Sequence, residues 1–460
     1  MASRSESSSA HSGLRPPDLH SHQFAFQRAV GALAMRDPDP PAAPTRRISG
    51  SLFASVMIAV LAVAAVGVYG LLRPDSAGAW RDGRATIIEK ETGARYVLLS
   101  STLYPVLNHT SAMLILGTDA TVLVPARELR DVPRGAPVGI PGAPDPLPRP
   151  DALVAGPWTL CTEAPATGVP PPDGSILRVG WAPDAQPLGA GAVLALDPNG
   201  QFHLLWNNRR FAIRDPDLVL AAFTWPKGSA TPVAAAVLNA IPAGADLAAI
   251  EVAGDGGASA VPGLQAGEVF VVENPDGGRL FGVALPDGVS DVSAVQAALL
   301  VAQGANGGDP PRRLSAAAYA SARKVGSLIP TGDDAPPGDT PTQVHPGEHD
   351  AVCATFRPGE TLPTLSVSAI PAPTLGAPAP RVDVPPGRGA LVESLATAAA
   401  ESGSICVITD LGLRFAVPSA KVLDTLGYGG VTPLRLPASL VSLVPPGPAL
   451  DPAAAVLPVG

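Results

Sequence analysis

The stretch LRFAVPSAKVLDTLGYG, from Leu413 to Gly429, predicts a β-strand that runs directly into a short helix. An aromatic residue, Phe415, is followed by a small residue and a β-branched one, and Ser419 stands where the helix would begin. Serine is a favoured N-cap because its side chain accepts a hydrogen bond from a backbone N–H of the first helical turn. The order of strand, cap and apolar helix therefore predicts a small β–α element.

The same order recurs elsewhere in the chain, with an apolar run and a turn before each copy. The other copies are TLYPVLNHTSAMLILG from Thr102, RRFAIRDPDLVLAAF from Arg209 and, with a longer loop, RLFGVALPDGVSDVSAVQAALL from Arg279. Their aromatic anchors are Tyr104, Phe211 and Phe281. The expected N-caps are Asn108, Asp215 and, after the longer loop, Asp291. The recurring unit is predicted to be a two- or three-stranded hairpin capped by one helix.

The four copies are unevenly spaced, whereas solenoid repeats return at a fixed short period. A shared central domain is the natural candidate to fill the gaps between them. Chance similarity among alanine-rich strand–helix pairs is the alternative explanation. A hairpin with one helix buries little core by itself, so each unit is expected to dock on a neighbour or on the central domain.

Composition limits the class of protein. The 460 residues suffice for two or three domains, and a hydrophobic fraction of 46% argues against full disorder despite 48 Gly and 54 Pro. The net charge is −9 and the isoelectric point is near 5.3. A nucleic-acid partner is not expected, because phosphate binding needs a basic patch.

An uncharged apolar run, SLFASVMIAVLAVAAVGVYGLL, covers residues 51–72. About 20 such residues cross the hydrocarbon core of a bilayer, so we expect a single transmembrane helix that anchors the chain in membrane lipid. Basic residues lie on both sides of the run, so the positive-inside rule does not decide its orientation. Before it, Phe26, Val30 and Leu33 fall at helical spacing and predict an amphipathic helix over Gln23–Met35.

The three cysteines, Cys161, Cys353 and Cys406, are far apart and lack the CxxC spacing of zinc sites. They are compatible with one long-range disulfide in an oxidising compartment or with three reduced thiols. Cys406 alternates with Ile408 in the predicted strand CVIT, which favours a buried free thiol there. Cys161–Cys353 is then the preferred pair.

Catalytic motifs are missing from the sequence. No Gly-Lys dipeptide occurs, so there is no phosphate-binding P-loop, and there is no G-x-S-x-G nucleophile elbow. The stretch HPGEH, His345–His349, fits a zinc pattern that works only on a helix, and Pro346 makes a helix there improbable. We therefore predict no catalytic, cofactor or metal site, and a protein that is not an enzyme.

Long motifs spread along the chain carry a specific resemblance. From about Gln23 to the C-terminus the sequence resembles EccB, the single-span membrane component of actinobacterial type VII (ESX) secretion systems. The motifs are RDPDP, LLRP, EKETGARYVLL, TLYPVLNHTSAMLILG, VPRGAPVGIPGAPDPLP, LNAIPAGADL, PPGRGALV, TDLGLRFAVPSAKVLDTLGYGG and GPALDPAAA.

The resemblance implies a structural component that assembles with EccC-, EccD- and EccE-like subunits to export small helical proteins. It implies a plasma-membrane protein with a cytoplasmic N-terminus and an extracytoplasmic C-terminal part that self-associates. It also implies a disulfide between Cys161 and Cys353. The family is often labelled ATPase, so a nucleotide hydrolase is one alternative, and a peptidoglycan-binding anchor is the other.

The expected fold class is α+β, with the transmembrane helix followed by an elongated extracytoplasmic region in which four hairpin–helix repeats surround a core. The expected map is 1–50 cytoplasmic segment; 51–72 span; 73–130 repeat 1; 131–190 core and loop; 191–227 repeat 2; 228–265 core; 266–303 repeat 3; 304–400 core and proline-rich linkers; 401–460 repeat 4 and tail.

Overall fold

The computed structural model describes residues 16–35, 44–72, 79–162, 174–275, 277–332, 334–347, 349–369, 381–397 and 400–459. The chain divides into two compact units, Met1–Ala77 and Gly78–Gly460. In the described part, the first unit consists of two helices and the second contains every strand. The secondary structure is mixed, in agreement with the expected α+β class.

The first unit contains α1 (Pro16–Met35) and α2 (Pro44–Leu72). Helix α1 begins before the expected Gln23, at a proline, which suits a first helical turn. Its apolar side chains Phe26, Val30 and Leu33 are exposed. Among the residues described, no helix is both long and apolar enough to cross a membrane, so the span predicted at 51–72 is not confirmed.

The described residues of the second unit form five sheets. Its first part contains β1 (Thr86–Glu89), β2 (Arg95–Leu99), β3 (Thr102–Pro105), α3 (His109–Leu116), β4 (Thr121–Val124), α4 (Ala126–Leu129), β5 (Trp158–Thr162) and β6 (Ser175–Val179). Then follow β7 (Gly191–Leu196), β8 (Phe202–Trp206), β9 (Arg209–Ala212), α5 (Pro216–Phe223), β10 (Thr231–Pro232) and α6 (Ala235–Ala240).

The next elements are β11 (Val269–Glu273), β12 (Arg279–Leu285), β13 (Gly288–Val292), α7 (Ala294–Ala302), β14 (Arg312–Arg313), α8 (Ala316–Ser321) and β15 (Lys324–Ser327). Then come β16 (Thr342–Gln343), β17 (Asp350–Phe356), β18 (Thr364–Ala369) and β19 (Arg381–Asp383). The chain closes with β20 (Ala390–Leu395), β21 (Ser404–Ile408), β22 (Arg414–Val417), α9 (Ala420–Thr425), β23 (Leu434–Pro437), α10 (Ala438–Val441) and α11 (Pro452–Ala455).

Four segments share one topology, and we name them modules A (β1–α4), B (β7–α6), C (β11–β15) and D (β20–α10). In each, three antiparallel strands precede a helix, and a fourth strand then pairs in parallel with the first. A short helix follows that fourth strand in every module. Their identity as sequence repeats stays a prediction, but the common order of elements supports it.

Three of the helices begin at the N-cap residues that the sequence predicts. The side chains of Asn108, Asp215 and Ser419 accept hydrogen bonds from the backbone N–H groups of Ser111, Leu218 and Val422, which confirms these three N-caps. The hairpin residues Asn207 and Asn208 have φ of 48° and 60°, the left-handed pair that a tight hairpin requires.

Module C departs from the sequence expectation. Its helix is capped by Ser293 in a capping box, whereas Asp291 lies within β13. Phe281 lies on β12, the second strand, and not on the third strand, where Tyr104, Phe211 and Phe415 lie. The prediction treated PDG, residues 286–288, as part of one long loop. Pro286 and Asp287 instead form a tight turn, and β13 begins at Gly288, which adds a strand before the helix.

The segment boundaries also differ from the expected map. Strand β20, Ala390–Leu395, is the first strand of module D and lies before the expected start at 401. Residues 228–265 contribute no strand to the central sheet; β10 and α6 within them belong to module B. The apolar sequence of β20 is typical of a strand, but the strands with which it pairs could not be identified from the sequence alone.

A segment after the fourth strand returns alongside the third strand of modules A, B and D. It brings Gly135, Gly244 and Gly447 against the rings of Tyr104, Phe211 and Phe415. In module B, Arg210 donates to the carbonyl of Pro242, and Gly244 donates back to that of Arg210. A Cβ on any of these glycines would overlap the aromatic ring, so glycine is required by close approach.

The central sheet has the order β18-β17-β5-β6-β19 and is assembled from two distant parts of the chain. Cys161 on β5 lies directly opposite Cys353 on β17, and a disulfide joins them, as the resemblance implied. The two cysteines are separated by 192 residues, and modules B and C lie between them. The bond therefore closes the loop that contains both modules.

One apolar cluster joins the central sheet to modules B and D. Leu160 and Val352 of the sheet pack in the same cluster as Val193 and Leu205 of module B and as Val392 of module D. A second cluster joins helix α3 of module A to module D, and a third joins helix α7 of module C to module B. Modules B and D therefore pack on the sheet, and modules C and A pack on them.

Removal of the disulfide tests how much it stabilises the folded chain. In the chain-entropy model, a disulfide that closes a loop of this length contributes about 5 kcal/mol to the free energy of unfolding. We expect the double variant Cys161→Ala, Cys353→Ala to lose about 2–5 kcal/mol of unfolding free energy, measured by denaturant titration of the purified chain. A reductant should destabilise the wild type and leave the variant unchanged. Equal stability of reduced and oxidised wild type would contradict the assignment.

The glycine contacts generate a second prediction. Gly244→Ala places a methyl group in the Phe211 ring, and overpacking of this kind costs about 1–3 kcal/mol. Gly228→Ala is the matched control, because that glycine lies in the same module and no atom would come within 4 Å of its Cβ. The unfolding midpoint should fall for Gly244→Ala alone. Equal midpoints for the two variants would show that the contact is not tight.

Candidate functional site

The predicted aromatic anchors are structural residues. Phe211 and Phe415 are fully buried, and Tyr104 is half-buried. The Phe211 ring packs against Trp206 with 6.0 Å between ring centroids. Phe211 and Phe415 therefore offer no accessible binding surface, whereas Tyr104 and Phe281 are only partly buried. The prediction missed the glycines that pack on them, although the pattern Pro-x-Gly at 133–135, 242–244 and 445–447 was a usable signal.

Cys406 is a buried free thiol, as its strand position indicated. Burial raises the pKa of the Cys406 thiol, and the nearby Arg414 guanidinium offsets only part of this effect. The thiolate is the reactive form of cysteine, so a raised pKa makes this residue a poor nucleophile. Its environment is that of a small core side chain.

His203 is the most buried titratable side chain with a carboxylate beside it. It is 4% exposed, and its Nε2 lies 3.7 Å from the Asp197 carboxylate. Burial lowers the pKa of His203 more than Asp197 raises it, so the imidazole is neutral near pH 7. Asp197 also accepts hydrogen bonds from the backbone of Asn199 and Gln201, which closes the hairpin turn. The pair therefore stabilises a turn.

Tyr319, Asp291 and Lys324 form a polar contact in module C. The Tyr319 hydroxyl donates to Asp291 at 2.5 Å, and the Lys324 ammonium lies over the Tyr319 ring. Burial, followed by the hydrogen bond to Asp291, raises the pKa of Tyr319 to about 12. The phenol stays protonated at neutral pH and ties α8 to β13, so it is not poised to act as a base.

The zinc-like stretch does not form a helix. His345 and Gly347 lie outside any regular element, and His349 lies in a turn. Across the described ranges, no group of three or more His, Cys, Asp or Glu side chains is arranged to hold a metal ion.

A cleft of about 960 Å³ lies between the central sheet and modules B and D. Its walls are mainly apolar, and they include Leu153, Val154, Pro242, Leu391, Leu434 and Leu436. Its two charged residues are Glu360 and Arg435, and Arg435 donates to the carbonyls of Ala400 and Glu401. This lining suits apolar contact and brings no acid–base pair together.

Neither the titratable groups with shifted pKa values nor the cleft forms an acid–base site in the described part of the chain. In the described part of the chain, the perturbed groups of modules B, C and D hold turns, strands and helices together. The features that remain available for interaction are the exposed apolar side chains of α1 and α2, the strand edges and the cleft. This arrangement suits a protein that works through its surfaces.

Comparisons with known proteins identify the family of this chain. A family model described as type VII secretion system ESX-1, transport TM domain B, matches residues 17–459. The ESX-3 secretion system ATPase EccB3 of Mycolicibacterium smegmatis is 29% identical, over 93% of this chain and 88% of the relative. The ESX-5 secretion system ATPase EccB5 of Mycobacterium tuberculosis is 28% identical, over 95% of this chain and 92% of that relative.

Solved structures show the same fold. A chain from the intact ESX-5 inner membrane complex superposes with a TM-score of 0.66 at 25% identity, covering 98% of this chain and 97% of that one. A chain of the EccB3 dimer from the ESX-3 core complex also gives 0.66, at 30% identity, covering 81% of this chain and all of that one. With the family model matching almost every residue, this protein belongs to the EccB family of type VII secretion systems.

Proposed function

We propose that this chain is a structural, non-enzymatic membrane component of a type VII (ESX) secretion complex that exports small helical proteins across the cell envelope. The observation that carries the proposal is the full-length match to a chain of an intact inner membrane complex. The burial of its aromatic anchors, thiol and histidine in structural contacts supports a role in assembly.

The proposed topology has residues 1–50 in the cytoplasm, a span at 51–72 and the remainder outside the plasma membrane. The span is supported by its uncharged sequence and by apolar side chains such as Phe53, Ile58 and Val63, which are exposed on α2. A disulfide between Cys161 and Cys353 suits an oxidising compartment, which supports an extracytoplasmic second unit. The description of the matching family includes a transmembrane domain, which points the same way.

The proposed partners are EccC-, EccD- and EccE-like membrane subunits together with further copies of this chain. Phe26, Val30 and Leu33 on α1 are exposed apolar side chains at helical spacing, as a docking helix requires. Self-association is supported by the solved dimer of a relative. Binding to peptidoglycan stays a prediction from the resemblance alone.

Nucleotide hydrolysis is the second candidate, because the relatives carry ATPase in their names. The sequence has no P-loop lysine to contact the β- and γ-phosphates. ATP is also scarce outside the plasma membrane, where the second unit is proposed to lie. Residues 1–72 contain no glycine-rich phosphate loop either.

Deletion of residues 23–36 tests the assembly role. The deletion removes four large exposed apolar side chains, Phe24, Phe26, Val30 and Leu33, and burial of each against a partner would stabilise the contact by about 1.5–3 kcal/mol. We expect at least about tenfold less co-purified secretion subunits, equivalent to about 1.4 kcal/mol, after extraction of the tagged chain in mild detergent. Deletion of 2–15, of equal length, is the control. Undiminished co-purification after the 23–36 deletion would contradict the proposal.

ATP turnover decides between the two candidates. The purified full-length chain and residues 73–460 are both expected to release phosphate at the rate of a buffer blank, because neither contains a phosphate-binding loop. A fraction that still hydrolyses ATP should lose that activity on further purification while this chain remains. Turnover that follows the chain through two purification steps would establish the hydrolase.

A further inference from the structure

Strand β4 (Thr121–Val124) is an open edge of module A. The order in its sheet is β3-β2-β1-β4, and β1 is its one pairing partner among the described strands. Its sequence, TVLV, has no charge and no proline. Leu123 is 56% exposed. Such an edge presents unpaired backbone groups and is a template for another strand.

The corresponding edges of the other modules are protected. In each case the fourth strand is very short, charged or contains proline, and these are the devices that prevent pairing between edges. Strand β10 contains Pro232, β14 is Arg312–Arg313, and β23 contains Arg435 and Pro437. The opposite edge of module A is covered by the return segment that carries Gly135. Among these equivalent strands, β4 is the unprotected one.

The register shows which backbone groups of β4 are available. Thr86 donates to the carbonyl of Ala120 and Lys90 to that of Val124, so these carbonyls face β1. Backbone groups alternate in direction along a strand, so those of Thr121 and Leu123 point away from β1. Two residues therefore offer four hydrogen-bonding groups on the outer edge.

We propose that β4 pairs antiparallel with β4 of a second copy of this chain, across a two-fold axis at Val122. Thr121 of each copy then lies opposite Leu123 of the other, and the four outward groups of each strand are satisfied. The two A modules share one continuous sheet. This inference rests on the proposed function, because it names the surface through which the proposed self-association occurs.

The residues around β4 suit a two-fold partner. Asp119 precedes the strand and Arg127 follows it, and both are exposed. In this register Asp119 of each copy lies opposite Pro125 of the other, two residues before Arg127 at the start of α4, so each end of the pair carries one acidic and one basic side chain. Leu123 of each copy lies diagonal to Leu123 of the other on the exposed face, within reach of an apolar contact.

Four hydrogen bonds and a pair of leucines form a small interface. Stable dimers bury about 1,600 Å² in total, more than one short strand edge provides. Copies assembled in one membrane complex are held at a high effective concentration, so a weak contact is then sufficient. The edge is expected to set the register between copies that other subunits bring together.

Cysteine cross-linking in native membranes tests the pairing. At the proposed axis, Val122 of one chain lies opposite Val122 of the second chain as a non-hydrogen-bonded pair. The two Cα atoms are then about 4.5 Å apart, which is within the range that a disulfide can join. The full-length Val122→Cys variant should form a reducible species of twice the chain mass on mild oxidation. Leu411→Cys is the control, because Leu411 is more exposed, at 76%, but lies in the turn after β21.

A second pair of variants tests the edge itself. Leu123→Lys places a charge on the outer edge and should reduce the Val122→Cys cross-link to the level of the Leu411→Cys control, whereas Leu411→Lys should leave the cross-link unchanged. Absence of the Val122→Cys species while secretion subunits still co-purify would overturn this inference and leave the proposed function standing. A cross-link to a different subunit would assign the edge to that partner and also overturn it.

Discussion

The apolar face of the central sheet is the constraint on which residues 78–460 depend. Leu160, Leu177 and Val352 are fully buried against strands of modules B and D, in a single cluster. A module of four short strands and one main helix buries little surface by itself. Modules B and D gain their second layer from the central sheet, and modules A and C gain theirs from the helices of D and B. Loss of this contact would leave four small modules without a shared core.

The chain path explains why a disulfide lies at this point. Strands β5 and β17 are neighbours in the central sheet, yet two complete modules separate them in sequence. Closing so long a loop is entropically costly, and the bond between Cys161 and Cys353 removes much of that cost from folding. Thr159 and Thr355, hydrogen-bonded to each other at 3.1 Å, lie two residues from the disulfide and continue the same pairing.

Local features were predictable from the sequence, and pairings between distant segments were not. The caps at Asn108, Asp215 and Ser419 depend on a few neighbouring residues, and all three were correct. The position of Phe281 was misassigned because a tight turn and a long loop look alike when turn residues are frequent. The outer strands β10 and β14 have two residues each, too few to give a periodic pattern. The residues favoured a Cys161–Cys353 pair but left three reduced thiols as an alternative, and the family resemblance then implied the same disulfide.

The pKa shifts of three polar groups run against a catalytic role for them. Tyr319, His203 and Cys406 each have a pKa displaced by burial in the direction that keeps the group neutral. Catalytic sites instead shift such groups toward the reactive form and place them in a cleft. Here the displaced groups lie outside the cleft between the central sheet and modules B and D, which has mainly apolar walls. None of these three groups therefore brings a reactive side chain to the cleft.

The most direct test of the scaffold account is the size of the native membrane complex in cells that lack this chain. The other secretion subunits would be expressed at normal levels, extracted in mild detergent and measured by single-particle mass. The account predicts that the large particle disappears and returns when the full chain is restored. A particle that differs only by the mass of this chain would contradict the account and show that the chain is a peripheral addition.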